Sequence, residues 1–448
     1  MSTQDTLIDQ TEYRLLLVLP DGQKVLARLD GNGYRLPRVR IPKWTRPAGE
    51  LQKAIKSLWN LSVIILDLAP HTDDAPRWVV AEVFSSHHPA DLAAVRLERL
   101  PESEISERQQ TIVQEILAGE RGDRGCFSRI GWINEAVTWL RRETGKSVSL
   151  AEDIQQYNAS GAFALLRFPM QDGSAYWMKA TGAPNAHECA VTAALSRLCP
   201  DSLAPLIAVR RDWNAWLMQD GGKPLEAISD QLALEQAVVS IAGLQKKTVG
   251  LTNELMAIGV VDQRVAVLRE HSLEVVDYLE EAMAQQTSTK VVKLEHQRLS
   301  EIGHILQYAC SRMEDLSVPD TVVHGDLNRG NILFDGSHCR FIDWSEAYIG
   351  NPFIGFQHLS LLKTETQDIL RLKDAYRCSW LDLLDSAQID AAFALAPLLA
   401  AASYLYGRGD WLRSPRRSDP DRQRYSRSLA RHMDRAAQAP ELLGVLCR

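Results

Sequence analysis

Two short motifs in the second half of the chain place two carboxylates and a carboxamide near one another. Asp326 ends a Val-Val-His-Gly-Asp sequence, Asn331 follows five residues later, and Asp343 lies between an apolar strand and a tryptophan. Transfer of a phosphoryl group mainly requires a carboxylate that takes the acceptor proton and oxygen ligands that hold Mg²⁺. These three side chains could supply both.

A β-hairpin explains how the three side chains could converge. Residues 331–334 and 339–342 are predicted as short apolar strands joined at Asp335-Gly336, a dipeptide favoured in hairpin turns. The hairpin would return Asn331 to the side of Asp343. A plain hairpin with polar ends is the alternative, but the order acid, amide, acid is more constrained than a lone glycine-rich loop.

Both motifs match a known pattern in full, His-Gly-Asp-x-x-x-x-Asn and Ile-Asp-Trp, and so the sequence resembles the aminoglycoside phosphotransferase and choline kinase-like superfamily. The resemblance implies an α+β, two-lobed protein-kinase-like fold with a small β-rich first lobe and a helical second lobe. It implies an ATP- and Mg²⁺-dependent enzyme that phosphorylates a hydroxyl of a metabolite or an aminoglycoside-like antibiotic. Asp326 would be the catalytic base, while Asn331 and Asp343 would bind Mg²⁺.

Such a fold also needs a lysine for the nucleotide phosphates and a glutamate that holds this lysine. Predicted strands at 161–168 and 175–180 place Lys179 near the end of the second strand, and a predicted helix at 186–198 carries Glu188 in its first turn. Alone, Lys179 could be merely solvated and Glu188 could merely favour the helix dipole. Their order ahead of the His-Gly-Asp motif favours the functional interpretation.

The turn at Ser160 and Gly161 could fold over the phosphates, although it lacks the Gly-x-Gly-x-x-Gly pattern. Further on, predicted strands at 203–209 and 215–218 lead to a predicted hinge at 219–222. The superfamily resemblance implies that adenine hydrogen-bonds to the backbone at this hinge, and the carry-over positions are Met218, Gln219 and Asp220. The side chain of Asp220 could instead be an ordinary turn residue.

Two later blocks, about 228–316 and 357–406, have helical apolar spacing. The resemblance implies that such helices build the acceptor pocket. The apolar run 391–406 is short and contains Pro397, so we predict a buried helix and no membrane span.

The front of the chain has its own pattern. A hairpin signal at 13–18 and 24–27, a helix at about 50–59 and strands at 63–66 and 78–84 resemble a Nudix-like α/β sandwich. The helix lacks the paired glutamates that bind metal in Nudix hydrolases. We therefore predict a non-hydrolytic accessory domain at 1–120, whose removal should leave phosphoryl transfer detectable.

Residues 121–150 are predicted as a linker and a packing helix, 151–222 as the first kinase lobe and 223–448 as the second. The phrase Phe-x-x-x-Gly-Trp at 127–132 resembles a bacterial subgroup of phosphotransferase-like proteins, and its helix, 133–142, is expected to pack on the first lobe.

Composition narrows the class of protein. A net charge of −7 argues against a nucleic-acid partner. Seven scattered cysteines without a Cys-x-x-Cys pair indicate a reducing cytoplasm and no zinc site. An arginine-rich stretch, 408–435, is interpreted as a solvated loop in preference to an anion-binding patch.

Two functional hypotheses remain. One is a small-molecule kinase of unknown oligomeric state, and the other is a nucleotide-binding regulatory pseudokinase whose front domain senses a ligand. The first is favoured because the chain retains a candidate for the lysine, the base and the metal ligands.

Overall fold

The computed structural model describes residues 9–31, 33–43, 45–68, 77–84, 89–117, 125–148, 154–228, 231–360, 366–407, 412 and 417–447. Its contacts divide the chain into an amino-terminal unit, Met1–Cys189 with Pro205–Asp220, and a carboxy-terminal unit, Ala190–Ala204 with Gly221–Arg448. The chain leaves the amino-terminal unit between Asp220 and Gly221, within the stretch predicted as a hinge. Most of the predicted linker at 121–125 lies outside the described residues.

The amino-terminal unit contains two sheets and the helices that cover them. In chain order its elements are β1 (Gln10–Val18), β2 (Lys24–Asp30), β3 (Gly33–Arg35), β4 (Arg38–Pro42), α1 (Pro47–Trp59), β5 (Val63–Leu68), β6 (Arg77–Val83), β7 (Ala93–Arg96), α2 (Glu107–Leu117), α3 (Trp132–Thr144), β8 (Gln155–Ala159), β9 (Ala164–Pro169), β10 (Ala175–Ala180), β11 (Leu206–Arg210) and β12 (Ala215–Gln219). One sheet has the order β3-β2-β1-β6-β5, with β4 on β1 and β7 on β2, and the other has the order β11-β12-β10-β9-β8. Strands β1 and β2 pair antiparallel, as do β9 and β10, so both predicted hairpins are confirmed.

In helix α1 the local sequence determines where the helix begins, where it ends and which face is buried. Pro47 begins the helix, where its missing N–H costs nothing, and Asn60 ends it in the left-handed conformation, with φ of 54°. Leu51, Ile55 and Trp59 recur every four residues and are buried. The opposite face of the helix is therefore left to polar side chains.

The predicted front domain and the predicted first kinase lobe share one hydrophobic core. Leu16 and Val80 from the first sheet, Trp132 from α3, and Phe168 and Met178 from the second sheet belong to the same buried cluster. The expected packing of α3 on this lobe is confirmed. The shared core argues against a separable accessory domain, because removal of residues 1–120 would expose the apolar face of the second sheet to water.

Glutamine side chains join the edge strands β5 and β8 of the two sheets. The buried side chain of Gln156 accepts a hydrogen bond from the N–H of Ile65 at 2.8 Å and donates to its carbonyl at 3.0 Å. Gln52 on α1 accepts from the N–H of Gln156 at 2.8 Å and donates to the carbonyls of Val63 and Ile154 at 2.8 and 3.3 Å. An amide offers both a donor and an acceptor, so it can replace a backbone partner at a sheet edge.

We expect Gln156→Ala to lower the free energy of unfolding by about 2–3 kcal/mol, because it leaves a buried N–H and a buried carbonyl of Ile65 without their partner. Urea unfolding followed by circular dichroism measures this loss. Gln155→Ala, at the exposed neighbouring position, is the matched control. Equal stability of the two variants would contradict the role of the bridge.

The carboxy-terminal unit is mostly helical. Its elements are α4 (Glu188–Leu198, whose first two residues belong to the amino-terminal unit), β13 (Lys223–Pro224), α5 (Gln231–Lys247), α6 (Thr252–Ala257), β14 (Val261–Asp262), α7 (Val265–Glu270), α8 (Ser272–Ala284), α9 (His296–Asp315), β15 (Thr321–Val323), β16 (Ile332–Phe334), β17 (Cys339–Phe341), β18 (Tyr348–Gly350), α10 (Pro352–Ser360), α11 (Thr366–Trp380), α12 (Ser386–Gly407), α13 (Pro420–Ala437) and α14 (Pro440–Leu446). Two small sheets have the orders β13-β16-β17 and β14-β18-β15. The predicted α+β class is confirmed, with strands concentrated in the first unit and helices in the second.

Helix α12 lies in the apolar core of this unit. The span Ser386–Tyr406 is long and apolar enough to cross a membrane by length and composition alone, but 61% of its most apolar stretch is buried inside the protein. Phe393 packs edge-on against Phe353 and Phe356, with ring centroids 5.0 and 5.3 Å apart. The predicted buried helix is confirmed, while a cytoplasmic location stays a prediction.

The interpretation of residues 408–435 as a solvated loop is wrong from residue 420 onward, where the structure has a helix. Asp419 accepts hydrogen bonds from the N–H groups of Asp421 and Arg422, and α13 begins at Pro420. Arg427 then donates to the carbonyl of Ala282 at 3.0 Å. An arginine of this helix thus bonds to the backbone of α8, which a solvated loop would not do.

Candidate active site

The backbone at Gly325 brings the two motifs of the carboxy-terminal unit together. This residue has φ of +77°, and a Cβ atom there would lie 2.0 Å from the carbonyl oxygen of Glu346. Only glycine fits both the left-handed conformation and the close approach. The loop that carries Asp326 therefore packs directly on the turn that follows Asp343.

Asn331 contacts Asp326 through its side chain. Its Nδ2 donates to the carbonyl oxygen of Asp326 at 2.9 Å and to Oδ2 of the same residue at 3.3 Å. Asn328 supports this loop, since its Oδ1 accepts from the N–H groups of Gly330 and Asn331 at 2.8 and 3.2 Å. With Nδ2 facing Asp326, the amide oxygen of Asn331 is directed away from that carboxylate.

The predicted hairpin is confirmed and explains why Asp343 lies beside Asn331. Strands β16 and β17 pair antiparallel, with Ile332 opposite Phe341. Beyond the ladder, the N–H of Ile342 donates to the carbonyl of Asn331 at 3.0 Å. Asp343 directly follows the residue that makes this bond.

The turn at Asp343 has a left-handed backbone, with φ of 67°. Asp and Asn adopt this conformation more readily than most residues with a side chain. Oδ1 of Asp343 accepts from the Ser345 hydroxyl at 2.9 Å. Nε2 of His324 donates to the carbonyl of Ile342 at 2.8 Å, and its ring packs against the buried Trp344 with centroids 4.5 Å apart. The histidine and tryptophan of the motifs thus hold the turn in place.

A second set of polar contacts closes the far end of the hairpin. Oδ1 of Asp335 accepts from the N–H groups of Ser337 and His338 at 2.9 and 2.8 Å. Arg340 donates to Oδ2 of Asp335 at 2.6 Å and to the carbonyl of Gly221 at 3.0 Å. Burial opposes ionisation of Asp335, but these hydrogen bonds outweigh it and lower its pKa below the ordinary 3.8. The contribution of Asp335 to stability is therefore complete above pH 3.8 and is lost as pH falls through the lowered pKa.

Lys179 and Glu188 form an ion pair within the amino-terminal unit. Nζ of Lys179 lies 2.6 Å from Oε1 of Glu188, and the two side chains are 17% and 1% exposed. Lys179 extends from β10, and Glu188 is the first residue of α4, so a strand end and a helix start meet here. The contact is the one that the sequence order suggested, while its role toward a nucleotide stays a prediction.

We expect Glu188→Gln to lower kcat/KM for ATP by about ten- to a hundredfold, because hydrogen bonds to a charged group contribute roughly 1.5–3 kcal/mol. The isosteric amide removes the charge that holds Lys179 without leaving a cavity. Steady-state kinetics with ATP as the varied substrate measures the change.

The matched control for this change is Glu254→Gln, an exposed glutamate in the first turn of α6. If both variants kept the kcat/KM of the unmodified protein, the pair would have no part in nucleotide handling.

The turn at Ser160 and Gly161 is held from upstream in the amino-terminal unit. The N–H of Phe127 donates to the carbonyl of Gly161 at 3.2 Å, and a Cβ on Gly125 would lie 2.2 Å from that oxygen. The hydroxyl of Ser160 accepts from the N–H of Phe163 at 3.1 Å. Sequence reasoning missed this contact between the start of the Phe-x-x-x-Gly-Trp phrase and the turn, because no local pattern connects two segments so far apart in the chain.

The predicted hinge residues end strand β12. The N–H groups of Gln219 and Asp220 donate to the carbonyls of Pro205 and Ala175 at 2.9 and 3.0 Å. These two N–H groups are therefore used within the amino-terminal unit, and the role of Met218, Gln219 and Asp220 toward adenine stays a prediction.

The donor set in the carboxy-terminal unit fits Mg²⁺. Among the described residues, no three His, Cys, Asp or Glu side chains gather into a metal site. Mg²⁺ is usually held by one or two carboxylates together with substrate phosphates and water, not by an all-protein cage. Asp343, the amide oxygen of Asn331 and the phosphates of a nucleotide would satisfy that preference.

The loop at Asp326 and the turn at Asp343 have the side chains that phosphoryl transfer requires, while their catalytic and metal-binding roles stay predictions. Residues 230–373, which carry both motifs, match the phosphotransferase enzyme family, APH. The match covers about a third of the chain, including both motifs, and the predicted enzyme class, a small-molecule phosphotransferase, is confirmed. No curated protein matches the sequence.

Several solved structures are similar to the chain at low sequence identity. A choline/ethanolamine kinase family protein from Mesorhizobium loti is 14% identical, with 70% of this chain and 98% of that chain covered and a TM-score of 0.45. Choline kinase from Cryptosporidium parvum is 11% identical, with 70% and 97% covered and a TM-score of 0.46. Macrolide 2'-phosphotransferase MphH from Brachybacterium faecium is 12% identical, with 66% and 98% covered and a TM-score of 0.40. The Nudix-like resemblance of residues 1–120 stays a prediction.

Proposed function

We propose that the protein transfers the γ-phosphoryl group of ATP to a hydroxyl of a small molecule, with Asp326 as the base that accepts the hydroxyl proton. The hydrogen bonds from Asn331 to Asp326 carry this proposal, because they join the proposed base to the proposed metal ligand in one loop. The bond from Ile342 to Asn331 adds Asp343 to the same group.

Each side chain has a distinct part in this reaction. Asp343 and the amide oxygen of Asn331 would hold Mg²⁺, which neutralises charge on the phosphates when it is bound. Asp326 would orient the acceptor hydroxyl and take its proton as the new bond to phosphorus forms and the bond to the leaving ADP breaks. Positioning and charge stabilisation supply most of the catalysis in such reactions.

The residues of the amino-terminal unit would bind the nucleotide. Lys179, held by the buried Glu188, would contact the phosphates, and the turn at Ser160 and Gly161 would cover them. The backbone of Met218, Gln219 and Asp220 would hold the adenine. The ion pair, together with the retained candidates for the base and the metal ligands, favours a catalytic protein over a regulatory pseudokinase, which commonly lacks one of these groups.

A screen for acceptor-dependent release of ADP tests the proposal directly. The purified protein is incubated with ATP and Mg²⁺ and a panel of hydroxyl-bearing metabolites and aminoglycosides, with Asp326→Asn as the control. ADP release above background with at least one acceptor, absent in the variant, is the expected result. ATP binding without transfer to any member of the panel would favour the regulatory protein instead.

A further inference from the structure

A cavity in the amino-terminal unit is lined by none of the residues proposed above for catalysis, metal or nucleotide binding. It has a volume of about 560 Å³ and is lined by α1, the start of β5 and the start of β8. Cavities of roughly 300–1,000 Å³ commonly hold small organic molecules. The glutamine bridge between the sheets forms part of its wall, since Gln52 and Gln156 both line it.

The charged side chains around this cavity are mostly cationic. Arg46, Lys53 and Lys56 contribute three positive charges against the single carboxylate of Glu50, which lies 2.8 Å from Nζ of Lys53. All three cations extend from α1 or from the residue before it, on the face opposite the buried Leu51 and Ile55. A surplus of two positive charges favours an anion in the cavity.

Part of the cavity lining is apolar. Leu61, Val63 and Ile64 are almost fully buried by the protein itself, so the apolar surface that a ligand could contact comes mainly from Ile154 and the ring of Tyr157, which are half-buried. The Tyr157 ring is itself fixed against Trp177, with centroids 5.1 Å apart. A purely inorganic anion would leave these apolar groups facing water, whereas an anion attached to an aromatic or apolar body would cover them.

From these observations we propose that the cavity is a binding site for a small organic anion, a phosphate or carboxylate group attached to a planar or apolar body. The anion contacts Lys53 and Lys56, and the body rests on Ile154 and Tyr157. The site needs no metal, because Glu50 is the only carboxylate in its lining. Binding here does not depend on phosphoryl transfer, so failure of either proposal leaves the other standing.

The site also lies on the strand that leads to the proposed phosphate turn. Strand β8 spans Gln155–Ala159, and its last residue precedes Ser160. A ligand that contacts Tyr157 therefore contacts the same short strand that ends at this turn.

Isothermal titration calorimetry on the full chain tests the proposal with three probes, namely phenyl phosphate, benzoate and inorganic phosphate. We expect at least one aromatic anion to bind with one-to-one stoichiometry and more tightly than inorganic phosphate. The comparison of phenyl phosphate with benzoate identifies the anionic group that the site takes. Absence of binding by both aromatic anions overturns the proposal.

Variants test whether the anion binds in this cavity and distinguish an effect of charge from a loss of packing. Lys53→Gln with Lys56→Gln should weaken binding of the aromatic anion by about tenfold, since it removes two exposed charge contacts that are each of modest strength. Glu50→Gln should act in the opposite direction and tighten binding, because it removes the only negative charge in the lining. A loss of packing alone would not produce opposite changes.

Two further variants serve as controls. Lys290→Gln with Lys293→Gln removes an equal charge from two exposed positions in the carboxy-terminal unit, and Lys179→Met removes the proposed nucleotide lysine. Both should bind the aromatic anion as the unmodified protein does. The proposal is overturned if Lys179→Met abolishes binding, or if the double lysine variant retains it in full.

Discussion

Asp326→Asn is expected to lower the rate of phosphoryl transfer by about 10²–10⁴-fold while ATP still binds. The amide cannot accept the proton of the acceptor hydroxyl. Its oxygen can still accept the hydrogen bond that Asn331 now donates to Oδ2 of Asp326, so the loop should keep its shape. The loss should therefore appear in kcat and not in the affinity for nucleotide.

Single-turnover kinetics with a saturating acceptor, together with titration of a fluorescent ATP analogue, separate these two effects. Asp315→Asn is the matched control, because it removes a carboxylate that is 65% exposed on the surface of the same unit. If ATP binding disappeared together with transfer, Asp326 would have a structural or nucleotide-binding part in place of general-base catalysis.

Asp343→Asn is expected to reduce Mg²⁺-dependent turnover below detection at concentrations of Mg²⁺ that saturate the unmodified protein. A neutral amide is a much weaker ligand for a hard dication than a carboxylate. Asparagine is a sharper test here than alanine, because the backbone at this position has φ of 67° and alanine would add strain to the loss of the ligand. The amide oxygen can also keep the hydrogen bond that Ser345 donates to Oδ1.

The measurement is a titration of turnover against Mg²⁺, with thermal unfolding as a check that the variant is folded. Ser345→Ala is a useful companion, since it removes the hydrogen bond to Asp343 but keeps the carboxylate, and it should retain most of the activity. Full Mg²⁺-dependent activity in Asp343→Asn would eliminate the assignment of this residue as a metal ligand.

The candidate site follows largely from local sequence. The hairpin that brings Asn331 beside Asp343 has a turn dipeptide and two apolar strands close together in the chain, so its pairing is decided by residues that are near neighbours. The pairing of Lys179 with Glu188 could also be predicted from the sequence, because only a short connection separates the end of the strand from the start of the next helix. Apart from its place in the motif, nothing in the sequence indicates that Gly325 adopts the left-handed conformation.

Long-range packing was the part that sequence patterns could not supply. Local patterns predict a separable front segment, because its own hairpin, helix and strands account for a small sheet. Its core nevertheless includes Trp132 of α3 and Phe168 of the second sheet, and Gln156 links the edges of both sheets. The hydrophobic effect is not directional, and one apolar surface can pack against any other. The spacing of apolar residues therefore does not show which surfaces share a core. The sequence does not reveal the helix at 420–437 as an apolar stripe, because the positions buried at helical spacing include the polar Gln423 and Ser426 and the small Ala430.

The amino-acid sequence by itself determined which side chains can take a proton and bind a dication, because their chemistry and close spacing are local properties. It also determined which segments form strands and most of those that form helices, through the spacing of apolar residues and the position of turn residues. Only the tertiary structure decided that Gly325 packs on Glu346 and that Phe127 holds the turn at Gly161. It also decided that three cations line a separate cavity. These features depend on contacts between segments far apart in the chain, and such contacts arise only when the whole apolar surface is buried together.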